Sequence, residues 1–74
     1  MTTVLHVIKG PLSDLARATI AEEVAAGDRI VIALLDGAPD PALPATVPIH
    51  RIPSELSYDG LLERVFEADQ VIAW

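Results

Sequence analysis

Seventy-four residues make a single domain, 1–74, and with no cysteine among them the chain can form no disulfide, thiolate ligand or persulfide. Its formal net charge of −6, from five basic and eleven acidic side chains, sets it against nucleic-acid phosphates and anionic membrane surfaces, so neither direct nucleic-acid binding nor membrane association is expected. A chain of this length buries only about 60% of its unfolded surface, yet 51% of its residues are hydrophobic, and the surplus apolar surface points to a partner subunit as the missing cover.

Residues 3–8 are rich in β-branched side chains and stop at the breaker cluster Lys9-Gly10-Pro11, which predicts a first strand. Ser13 then stands as the N-cap of a first helix, with Asp14 near its positive end. Leu12, Ala16, Ile20 and Val24 recur every four residues as the apolar stripe, Leu15 widens it, and Arg17, Glu22 and Glu23 fall elsewhere. Gly27 closes the helix. Residues 29–35 form a near-continuous apolar run, the pattern of a strand covered on both faces, ended by Asp36-Gly37.

Four prolines in residues 38–48 forbid a regular helix and predict an extended connector, partly polyproline. Residues 49–52 read as a short third strand. Ser57 caps a second helix over residues 58–68, whose apolar face is Leu61, Leu62, Val65 and Phe66. Residues 71–74 form a last strand. The order β-α-β-loop-β-α-β predicts an α/β fold, a small parallel four-stranded sheet flanked by helices.

If the first and third strands are neighbours, in the order 2-1-3-4, right-handed crossovers place the two helices on opposite faces and leave half of each face bare. That arrangement makes association a structural expectation. The longest apolar run, residues 30–35, is far short of the roughly 20 residues that span a bilayer, and the first residues lack the basic and apolar regions of a signal peptide. A cytoplasmic location follows as an expectation.

In such a sheet a ligand crevice lies beyond the strand ends where the order reverses. On the expected order those ends are Lys9-Gly10 and Pro53-Ser54-Glu55. Lys9, Gly10 and the amides of the helix start at Ser13 form a weak anion-binding candidate, against the plain reading of a solvated lysine beside a tight turn. His6 and His50 sit in strands and approach each other on that order, although a strand histidine is more often a partly buried residue bonded to backbone than a ligand or base. Two histidines cannot fill a structural zinc site alone, and no metal or cofactor is expected. No serine has a nucleophile-elbow context, and the carboxylates are scattered, so no independent catalytic activity is expected. Trp74 reads equally as a plug of the domain's own core and as an interface anchor.

The stretch 56–74, with Tyr58, Asp69, Val71 and Trp74 at its marked positions, resembles the closing segment of the TusB/DsrH family: a Tyr, a helix, an Asp, a short apolar strand and a final Trp. The opening is similar too, in Leu5-His6 of the first strand, Gly27, and the apolar strand ending at Asp36-Gly37. The resemblance covers both ends of the chain and leaves its middle unmatched. It implies a DsrE-like α/β domain acting in a cytoplasmic sulfur-relay complex beside TusC/DsrF-like and TusD/DsrE-like subunits, in tRNA 2-thiouridine formation or in sulfur oxidation. Two departures stand out: some family members carry a cysteine near the first helix and this chain has none, and its proline connector replaces helical material. The implied role is therefore non-catalytic, a docking or scaffolding subunit with Tyr58 and Trp74 at its interface. The alternative is a self-associating protein of the same fold that binds a small ligand and takes no part in sulfur transfer.

Overall fold

The computed structural model describes residues 2–44 and 46–74. The elements are β1 (Thr3–Ile8), α1 (Asp14–Ala25), β2 (Arg29–Leu35), β3 (Ile49–Ile52), α2 (Tyr58–Glu67) and β4 (Gln70–Ala73). All four strands are parallel, as the alternation of elements predicts.

The strand order is β3-β2-β1-β4, which corrects the expected 2-1-3-4. The reason lies in burial and reach. β2 carries the apolar run and has neighbours on both sides, where Ile32, Ala33 and Leu34 become almost wholly inaccessible. Among its described residues the proline connector contributes no helix or strand to carry it over the sheet, and it delivers β3 to the strand next to β2. The four-residue strands β3 and β4 are left as the two edges.

On this order the steps β1-α1-β2 and β2-connector-β3 run the same way, while β3-α2-β4 runs back across two strands. Right-handed crossovers then place α1 and the connector on one face and α2 on the other. Side-chain packing agrees. Val4, Ile8, Ile30, Ile32 and Leu34 meet Ile20 of α1 together with Ala38 and Val47 of the connector. On the opposite face Leu5, Ala33 and Ile52 meet Leu61 and Val65 of α2. The alternation of a strand's side chains accounts for the division, even residues of β1 and β2 facing α1 and odd ones facing α2.

The connector therefore covers a region expected to be bare. Ala38 and Val47 are buried, Leu43 packs on the same core, and Arg17 Nη1 of α1 donates to the Pro41 carbonyl at 2.7 Å. On the α2 face no residue of the helix is fully buried.

Both helices start as their sequences predict. Ser13 Oγ accepts from the Ala16 amide at 3.1 Å, and Ser57 Oγ accepts from the Gly60 amide at 3.0 Å. α1 ends in a Schellman turn: Asp28 N donates to Glu23 O, Gly27 N donates to Val24 O, and Gly27 has φ +84°. Three assignments on α1 need correction: Val24, expected in the apolar stripe, is 38% exposed because the stripe's last turn runs past the edge of the core. Leu15 is 70% exposed and adds nothing to the core stripe. Glu23, set apart from that stripe in the sequence, points into the domain.

Candidate functional site

The feature that stands out is a chain of three side chains under α1. His6 points from β1 to the α1 face and is fully buried. Its Nε2 lies 2.6 Å from Oε1 of Glu23, itself largely enclosed. On the other side of the ring, Nε1–H of Trp74 donates to His6 Nδ1 at 2.8 Å. An indole nitrogen only donates, so His6 Nδ1 accepts and the ring proton sits on Nε2, facing the carboxylate. The two rings are 11° from parallel with centroids 6.1 Å apart. With the short N···N bond between them, they meet edge to edge and do not overlap face to face.

Each participant is placed by its own element. Parallel pairing sets His6 beside Ile72 of β4, so Trp74, two residues further, projects to the same face. The amide of Trp74 is held by the Val7 carbonyl at 2.9 Å. At the other end of β4, Asp69 and Thr3 exchange two bonds: Thr3 N donates to Asp69 Oδ2 at 2.8 Å, and Asp69 N donates to Thr3 O at 2.9 Å. The opening and closing segments of the chain are thus bonded side by side.

The other candidates do not converge. His50 lies on β3 with β2 between it and β1. It shares a side of its strand with Ile52, on the α2 face, while His6 faces α1. The expected approach of the two histidines does not occur, because it rested on the wrong strand order. Lys9 is exposed, Gly10 is half-buried, and the hydroxyl of Ser13 is engaged as a cap. Pro53-Ser54-Glu55 follows β3 at one edge of the sheet, away from Lys9-Gly10 at the end of β1. The strand pair that the chain reaches from opposite directions is β1–β4, and Trp74 closes its carboxyl end. Tyr58 is 64% exposed on α2.

Glu23 and Asp69 do the polar bonding that sequence reasoning did not assign. A signal for Glu23 was present: it stands three residues after Ile20 and seven after Ala16, on the helix face both of those bury. What remained hidden was its partner. Asp69 was marked by the family resemblance without a physical role.

His6 is sealed from solvent, and the three side chains pin β1, α1 and β4 to one another. Among the described residues, no three His, Asp or Glu side chains gather as a metal site, and no helix is long and apolar enough to cross a membrane. A cleft of about 340 Å³ lies between α1 and the connector, lined by Ile20, Ala21, Val24, Leu43 and Pro44 with Arg17 beside it.

Trp74→Phe tests the pin. It keeps most of the ring but leaves the buried acceptor on His6 empty, which costs about 1–3 kcal/mol. The expected result is a lower melting temperature that does not vary with protein concentration. A loss that appears only on dilution would place Trp74 in an interface.

Fold and site define a class: a small all-parallel α/β domain whose polar core ties its first and last strands together. Searches among family models, curated proteins and solved structures find no match to this chain.

Proposed function

We propose that this chain is a non-catalytic, TusB/DsrH-like subunit of a cytoplasmic sulfur-relay complex, serving tRNA 2-thiouridine formation or sulfur oxidation. The observation that carries the reading is the pairing of β1 with β4. The opening residues Leu5 and His6 and the closing residues Asp69, Val71 and Trp74, which bear the family resemblance, form one bonded unit. Residues that resemble a family pattern from opposite ends of a chain support it better when they are partners in space.

With no cysteine, the chain can carry no persulfide itself, and its part is to dock subunits that do. Support for docking comes from α2, which leaves Tyr58, Leu62 and Phe66 at 64%, 53% and 80% exposure. Large apolar side chains exposed together mark interaction surfaces. The test is co-expression with TusC/DsrF-like and TusD/DsrE-like subunits. A co-eluting complex whose native mass equals the sum of its parts is expected. Separate elution at micromolar concentration would overturn the proposal.

One observation favours the second reading, a self-associating protein that binds a small ligand. The cleft between α1 and the connector is apolar with one cation beside it, the form of a site for a small amphiphilic anion.

A further inference from the structure

The surface of α2 carries two parallel rows. Tyr58, Leu62 and Phe66 recur every four residues and are exposed; Asp59, Glu63 and Glu67, each the next residue along, form an acidic row beside them and are also exposed. Neighbouring residues of a helix are 100° apart, so the rows run side by side. Leu61 and Val65 point down to the sheet.

The rows can be oriented on the sheet. Arg64 and Glu67 share a depression with Thr3 and Leu5 of β1 and Arg29 and Val31 of β2, so that flank of α2 faces the β2 side. The flank bearing Leu62 and Phe66 therefore faces β4, the opposite edge; Asp59 and Glu63 occupy the crest, while Glu67 turns to the β2 flank beside Arg64 at 3.7 Å. Below that flank lies Val71, on the α2 side of β4 and 42% exposed. Four strands at about 4.8 Å spacing make a face nearly 20 Å wide, while one helix covers about 10 Å. Beside α2, over β4, an apolar shelf is left open to solvent. Its floor is Val71, its wall is Leu62 and Phe66, and its upper rim is acidic.

A second copy of this chain fits poorly there. It would bring an identical acidic row, on a molecule of net charge −6, against this one. We infer that the α2–β4 shelf docks a basic amphipathic helix of another protein, one whose apolar row is flanked by lysine or arginine. This rests on the docking role proposed above and gives the docking surface its chemistry.

The probes are two synthetic amphipathic helices with the same leucine row, one flanked by lysines and one by glutamates, titrated into the isotope-labelled full chain. The lysine helix is expected to bind about tenfold tighter or better. Its amide shifts should fall on α2 and β4. Leu62→Ser with Phe66→Ser should weaken it by about tenfold, Glu63→Lys should weaken it too, and Leu15→Ser should leave it unchanged. Equal binding of the two helices, no binding of either, or shifts spread over the remaining acidic surface would each overturn the inference. So would a mass that rises with concentration and falls back in Phe66→Ser, which would assign the shelf to a second copy. If the lysine helix fails while the chain still co-elutes with relay subunits, the shelf chemistry is wrong and the functional proposal stands. If the helix binds but no relay complex forms, the reverse holds.

Discussion

His6→Ala is expected to remove about 3 kcal/mol of stability. Three losses combine: a buried ring's packing, the acceptor of the Trp74 indole N–H, and the donor to the Glu23 carboxylate. A domain of this length holds roughly 4–11 kcal/mol in all, so the variant should be left with a small margin and a melting temperature lower by some 10–20 °C. Urea unfolding followed by circular dichroism measures it. A loss below about 1 kcal/mol would mean that the polar chain is solvated and pins nothing. A double-mutant cycle with Trp74→Phe should also be non-additive by about 0.5–3 kcal/mol, since the two residues share one bond. Strict additivity would remove the direct link between them.

Ile32→Ala against Ile49→Ala tests the strand order itself. Ile32 is fully buried in β2, between β1 and β3, and its truncation should cost about 3–4 kcal/mol. Ile49 is half-buried on the edge strand β3 and should cost about 1 kcal/mol. With β1 and β3 at the centre and β2 at the edge, the ranking would reverse. Urea midpoints of the two variants, measured at equal slope, decide between the arrangements.

These two sites also bear on docking. The α1 face is packed by its own helix, the connector and Trp74. The α2 face keeps an open flank.

The local structure was legible in the sequence because short-range physics decides it. Ser13 and Ser57 cap helices by a hydroxyl reaching an amide three residues on, and Gly27 ends α1 because it adopts a positive φ without a Cβ clash. The prolines of the connector exclude a helix wherever the chain goes. The parallel sheet follows from strands alternating with helices. By contrast, four short strands can be ordered in more than one right-handed way, and only the packing of whole faces selected β3-β2-β1-β4. That choice put His50 across the sheet from His6 and brought Trp74, 68 residues away in sequence, to the imidazole. Glu23 was set aside as a surface charge because its partner was unknown until β1 lay beneath α1. Such a polar contact joins residues distant in sequence, so its existence depends on the strand order and no local pattern announces it.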